Sequence, residues 1–234
     1  MGKYGFRVID ADGHGGDLKD WHLRLPPEFK SNWEERRERI KKHFANLPGV
    51  GIKETKGTAK LNSLEREGMT DPAARLEDMD LEGIDTTIMF PGGAGEEWAG
   101  LDLEFAIAVC RTLNDARAEF TRHNPERLKS IAKLPLIDPQ AAIDELRRAV
   151  NDLGMVGMVC PQHIRDKNLD HPDFDPVWAE AEKLGVAVCV HGGGQALDQV
   201  PIGVDRYTTR LEVHALTHPI GQMLAVITFS VGGI

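Results

Sequence analysis

Three side chains in this sequence are of types that hold a divalent cation: Asp12 and His14, two positions apart, and His191, far along the chain. The stretch Arg7-Val8-Ile9-Asp10-Ala11-Asp12-Gly13-His14 predicts a short buried strand with Asp12 and His14 at its C-terminal end. Side chains on a strand alternate faces, so the two are expected to point the same way. A carboxylate oxygen and an imidazole nitrogen converging from one face hold a cation and leave positions open for water or substrate. Asp10 is expected on that face as well, orienting a ligand from behind. The same residues also fit a plain strand running into a polar, glycine-rich turn capped by Asp12, because an Asp-x-His triplet is short and common. His191 ends a second apolar run, Val186–His191, and is followed by Gly192, Gly193 and Gly194, where a ligand can approach the backbone closely. Alone, His191 reads as a core histidine or a capping group as readily as a metal ligand.

The elements that would have to position these groups recur along the chain. Asp71-Pro72, Asp138-Pro139 and Asp175-Pro176 each open a predicted helix, with Asp at the N-cap and Pro in the first turn. Apolar stripes continue at helical spacing: Ala73, Leu76 and Met79; Ile143, Leu146, Val150 and Leu153; Val177, Ala181 and Leu184. Gly83, Gly154 and Gly185 are the expected stops. Each stop leads into an apolar strand: Ile84–Phe90, Met155–Cys160 and Val186–His191. A fourth helix is expected over Leu101–His123, buried through Phe105, Val109, Ala116 and Phe120, with a strand after it at Ser130–Leu136. An apolar helix is expected from Leu211 to the end. The strands are near-continuous apolar runs, which means both faces are covered, as in parallel α/β sheets.

The predicted fold class is α/β, of the (β/α)8 TIM-barrel or open doubly wound type. No G-x-G-x-x-G comes after the first strand, which argues against a dinucleotide site. Polar residues gather instead at strand tips, where a barrel builds its active site: Asp12 and His14, then Pro91 and Gly92, then Gln162 and His163, then His191. Five of eight βα units are legible. The chain is therefore expected to be one domain over residues 1–234, the N-terminal two-thirds of a barrel, with an insertion at about 15–70. That insertion carries Trp21, Trp33 and the charged run Glu34–Lys42, read as a solvated helix.

Composition bounds the function. The 234 residues are 41% hydrophobic and 28% charged, with a formal net charge of -9, so a nucleic-acid backbone is not the expected partner. The final apolar run, Met223–Ile234, is too short to span a bilayer, so no membrane partner is expected. Cys110, Cys160 and Cys189 are few and scattered, which predicts reduced packing residues in a cytoplasmic protein.

Several stretches together resemble the amidohydrolase-2 family, which includes aminocarboxymuconate-semialdehyde decarboxylase and γ-resorcylate decarboxylase. They are Val8–His14, Arg75–Asp85, Asn124–Leu128, Leu134–Pro139, Phe174–Trp178, Val190-His191 and Met223–Gly233. The resemblance implies a distorted barrel with one divalent metal, zinc ahead of manganese, held by Asp12, His14 and His191. Asp12 stands where the family has His or Glu. The resemblance also implies a polar group after strand six and an aspartate after strand eight. Those positions lie beyond the units read here, so no catalytic acid is assigned. His163, Pro91, Gly92 and His218 are candidates to touch a small-molecule substrate at the mouth. Lys133, unusual within a strand, is weighed as a carbamylated metal bridge against a lysine paired with a neighbouring carboxylate. The implied function is metal-dependent hydrolysis or non-oxidative decarboxylation of a small carboxylated or cyclic compound, by a possible homo-oligomer. The rival readings are an inactive barrel fragment and a non-catalytic binding protein.

Overall fold

A computed structural model of the chain describes residues 5–46, 66–92, 102–191, 206–207 and 210–234. The sheet is built from parallel pairs. Strand β1 (Ile9–His14) pairs with β2 (Thr86–Phe90), and β2 pairs with β3 (Leu128–Ser130). A parallel bridge from Ala132 to Met158 carries the run into β4 (Gly157–Cys160), which pairs with β7 (Ala187–Val190). The order β1-β2-β3-β4-β7 follows the chain, and helices separate successive strands, as in a barrel wall. A small antiparallel hairpin, β5 (His163–Ile164) with β6 (Lys167–Asn168), sits outside that run.

The helices form where capping and periodicity place them. Asp71 starts α2 (Pro72–Glu82) by accepting from the Ala74 amide at 2.8 Å. Asp102 does the same for Phe105 in α3 (Leu103–Thr121), and Asp138 for Ala141 in α4 (Pro139–Asn151). Each such cap contributes about 1 kcal/mol by satisfying an amide that the helix leaves unpaired. Gly83, Gly154 and Gly185 take φ of +75°, +72° and +66°, the left-handed conformation that ends a helix without a Cβ clash. Most of the predicted stripes face inward: Phe105, Val109, Ala116 and Phe120 of α3 are buried, as are Met79 of α2, Leu146 of α4 and Val177 of α5 (Asp175–Leu184), but Ala73, in the first turn of α2, is exposed.

Four expectations need correction. Strand β1 is not buried: Gly13 is its one buried residue and Ile9 is 52% exposed, because among the described strands β1 pairs only with β2 and its other edge is left uncovered. Asp175 is not the cap of α5, because a single 3-10 turn, Pro172–Phe174, precedes it and draws Asp175 into the helical first turn. The third strand ends early. Beyond Ala132 the Asn114 side chain takes the place of a neighbouring strand, bonding both the amide and the carbonyl of Lys133 at 2.9 Å. Pro135 has no amide to offer a ladder, and the chain turns. The last helix is longer than its apolar run. Helix α6 (Arg210–Gly232) continues through Pro219, and its window Ala215–Gly232 has mean hydropathy 1.2 and the length to cross a bilayer. Gly221, Ala225 and Thr228 form its buried side, while Met223, Val226, Ile227 and Val231 face solvent.

The inserted segment builds a cover rather than a loose loop where it is described. Trp21 and Trp33 pack edge to face at 5.1 Å and, with Phe29, rest on Leu25, Phe105 and Val109. The charged run lies in α1 (Lys30–Asn46); among its described side chains Arg36 is buried and Glu34, Glu35, Arg37, Glu38, Arg39 and Lys42 are exposed. Its remainder, residues 47–65, lies outside the described residues.

Candidate metal centre

The fold brings Asp12, His14 and His191 together. Their nearest ligand atoms all lie within 4.8 Å of one another, and among the described residues this is the one such group of three or more. His191 Nε2 is 3.6 Å from Asp12 Oδ1, and the His14 and His191 ring centroids are 5.0 Å apart. Ligand atoms about 2.1 Å from a shared tetrahedral ion stand roughly 3.4 Å apart, so the set is gathered in the right place but is looser than a closed coordination sphere. The donors, one carboxylate oxygen and two imidazole nitrogens, suit a divalent ion of borderline hardness. His14 Nδ1 lies 3.0 Å from the backbone oxygen of Asp12. A proton on Nδ1 makes that bond and leaves the Nε2 lone pair for the ion.

The route to this convergence differs from simple alternation. Ile9 and Asp10 pair with Thr86 and Thr87, but Gly13 and His14 pair with Met89 and Phe90. Strand β1 thus takes three steps where β2 takes two, which is a β-bulge. An extra residue flips the parity of the strand, so Asp10 and His14 do not share a face. Asp10 turns toward α2 instead. Its Oδ2 accepts from Thr87 Oγ1 at 2.9 Å and its Oδ1 accepts from the Asp12 amide at 3.2 Å. Gly13 is required by this packing, because a Cβ there would overlap Thr87 Oγ1. An isolated glycine inside a strand pattern is a bulge signal, and Gly13 stands between the two candidate ligands.

Phe90, at the tip of β2, joins the site without any motif to mark it. It is buried, and its ring centroid lies 5.1 Å from that of His191 and 6.5 Å from that of His14. One aromatic side chain therefore backs both imidazoles. The tips of the first three strands are tied beneath the site. Buried Arg117 donates to the carbonyls of Gly15 at 3.0 Å and Met89 at 2.6 Å, and it pairs with Asp17. Gly92 donates to Asp17 Oδ2 at 3.2 Å, and its carbonyl accepts from Lys133 Nζ at 3.3 Å. Lys133 is fully buried, and its Nζ rests on this backbone carbonyl.

The substrate candidates are more scattered. Pro91 is buried directly behind Phe90. Gly92 is exposed, with its amide on Asp17 and its carbonyl on Lys133. His163 belongs to the β5–β6 hairpin, where Nδ1 lies 2.9 Å from the Arg165 carbonyl, and it is not in the metal-capable group. His218 is half-buried on α6 beside Thr217 Oγ1 at 3.3 Å, also outside that group. The glycines after His191 lie outside the described residues.

Comparison with known proteins gives a consistent picture. The family model described as Amidohydrolase matches residues 19–223, a range that includes His191 and begins just after His14. A γ-resorcylate decarboxylase from Rhizobium radiobacter is 38% identical over 123 residues, covering 50% of this chain and 37% of that protein. A 2-amino-3-carboxymuconate-6-semialdehyde decarboxylase from Dictyostelium discoideum is 29% identical over 166 residues, covering 70% of this chain and 44% of its own length. Among solved structures, the 5-carboxyvanillate decarboxylase of Novosphingobium aromaticivorans, complexed with manganese and 4-hydroxy-3-methoxy-5-nitrobenzoic acid, superposes with a TM-score of 0.61. It is 20% identical, and the match covers 80% of this chain and 50% of that one. The chain thus spans half or less of the length of these relatives, and the structural likeness speaks for the fold.

Proposed function

The chain belongs to the amidohydrolase family, and from that premise we propose that it serves a divalent-metal-dependent decarboxylase acting on a small aromatic carboxylate. The observation that carries the reading is the convergence of Asp12, His14 and His191 at the ends of the first and last strands of the parallel run. Manganese is put ahead of zinc, because the solved 5-carboxyvanillate decarboxylase holds manganese. A bound ion of this kind supplies Lewis acidity toward a substrate oxygen or a water.

The chain's own residues supply position and environment. His14 presents Nε2 because its Nδ1 is engaged by the Asp12 carbonyl. Asp12, with a side chain 68% exposed, opens the cluster to solvent, while buried Phe90 closes it from behind. An aromatic carboxylate entering from the open side would meet the ligands over an apolar wall. Decarboxylation breaks the bond from ring carbon to carboxylate, releases CO2 and requires a proton at the ring carbon. No group among the described residues is assigned to deliver that proton. Cys110, Cys160 and Cys189 are thiols rather than half-cystines, which fits a reducing compartment such as the cytoplasm.

The test is CO2 release from γ-resorcylate by the 234-residue chain supplied with Mn2+. Release that EDTA stops and that His191→Ala removes supports the reading. Stoichiometric Mn2+ binding without release would contradict its catalytic part, and absence of Mn2+ binding would contradict it entirely.

A further inference from the structure

We propose that Thr87 is a positioning residue for the metal ligands, acting through Asp10 and Arg75 to hold the β1 bulge that aims Asp12 and His14 at His191. The inference rests on the proposed metal site and adds residues that do not touch the ion.

The bulge has no ladder of its own, since its extra residue leaves β1 and β2 out of step between Asp10 and Gly13. Its backbone is held by side chains instead. Thr87 Oγ1 donates to Asp10 Oδ2 at 2.9 Å, and Asp10 Oδ1 accepts from the Asp12 amide at 3.2 Å. The hydroxyl is therefore one bond from the carboxylate that fixes the backbone of one ligand residue. Arg75, from α2, completes the frame. Its Nη1 donates to the His14 carbonyl at 3.1 Å, and its Nη2 lies 3.4 Å from Thr87 Oγ1 and 3.9 Å from Asp10 Oδ2. Both ligand residues of β1 are thus tied through the main chain, one by its amide and the other by its carbonyl.

Burial makes Thr87 hard to replace. The residue is 0% exposed, so water does not stand in for a lost hydroxyl. The hydroxyl also occupies the space that a Cβ on Gly13 would need. A regular strand without this hydroxyl–carboxylate pair would restore alternation, putting Asp10 on the site's side and changing the aim of Asp12. Groups behind metal ligands commonly change affinity by about 10- to 100-fold when removed.

The experiment compares wild type, Thr87→Val and Thr87→Ser in the 234-residue chain, with Co2+ alone as the probe. Affinity is read by titration and ligand geometry by the visible d–d absorption bands. Valine keeps the shape and loses the donor, while serine keeps the donor. The expected result is a roughly 10- to 100-fold loss of Co2+ affinity and an altered band envelope for Thr87→Val, both restored in Thr87→Ser. A role confined to stability would lower the melting temperature and leave affinity and spectrum unchanged at temperatures where the protein is folded; that outcome overturns the proposal. Should Thr87→Val melt below the assay temperature, Arg75→Gln replaces it, and its retention of wild-type affinity and spectrum also overturns the proposal. Failure of wild type itself to bind Co2+ would remove the metal reading and this inference with it, a result distinct from equal binding by all variants.

Discussion

His191 Nε2 and Asp12 Oδ1 lie 3.6 Å apart although Asp12 belongs to the first strand of the parallel run and His191 follows the last, β7. No local motif joins them; the curvature of the sheet does. The intervening strands, with helices laid between them, set that span. Changes in how strand tips are held should therefore reach the site without touching it.

Phe90→Ala tests the wall that backs the ligands directly. Removing the ring leaves a cavity behind both imidazoles and should cost about 3–5 kcal/mol of stability by denaturant unfolding. Phe90→Leu, which retains most of the volume, should recover most of that loss. Metal affinity should keep the same order, with alanine weakest, by calorimetric titration with Mn2+.

Gly13→Ala should be more damaging than any ordinary glycine substitution in a strand. The new Cβ would overlap Thr87 Oγ1 and stand 2.8 Å from Asp10 Oδ2. Overpacking of this kind costs about 1–3 kcal/mol. Relief requires the Asp10–Thr87 bond to open, so chemical denaturation and Mn2+ titration should both report the change.

Much of this was legible in the sequence, and the misses share a cause. The Asp12–His14 pair, most of the helix stripes and the αL glycines follow from residue type and spacing, which act locally, and the meeting of that pair with His191 follows from strand order. The bulge does not, because it depends on how Asp10 and Gly13 meet Thr87 across a strand pair. Alternation gave the right pairing of Asp12 with His14 but the wrong face for Asp10. Phe90 read only as an apolar strand residue, since its value lies in two histidines distant in sequence. The third strand ended early because Asn114, on another helix, bonds Lys133.

That asparagine gives the next expectation. Asn114 is fully buried and joins Lys133 of the sheet to Glu145 of α4, at 2.7 Å for the latter. Asn114→Ala leaves buried backbone groups of Lys133 without partners, a loss of about 1–3 kcal/mol by urea unfolding. Asn114→Asp should not rescue it, because an ionised carboxylate cannot donate to the Lys133 carbonyl.

Acid sensitivity should trace to the outer helices. Arg147, bonded to Glu180 at 2.8 Å through two nitrogens, draws the Glu180 carboxyl down to about 2, and Lys183 assists. A carboxyl lowered on folding stabilises the folded state at pH above its unfolded value, near 4.5, and loses that contribution as pH falls toward 2. Glu180→Gln should therefore melt below wild type at pH 7, with the gap narrowing through that window and closing near its acid end. A gap that stayed constant from neutral pH to pH 2 would contradict the assignment.

The central claim is that three side chains hold one ion, and metal content by elemental analysis after equilibrium dialysis against Mn2+ tests it most directly. The account predicts one ion per chain in wild type and none retained in Asp12→Ala, His14→Ala or His191→Ala, each still folded by circular dichroism. Full retention of the ion in any one of these variants would contradict it.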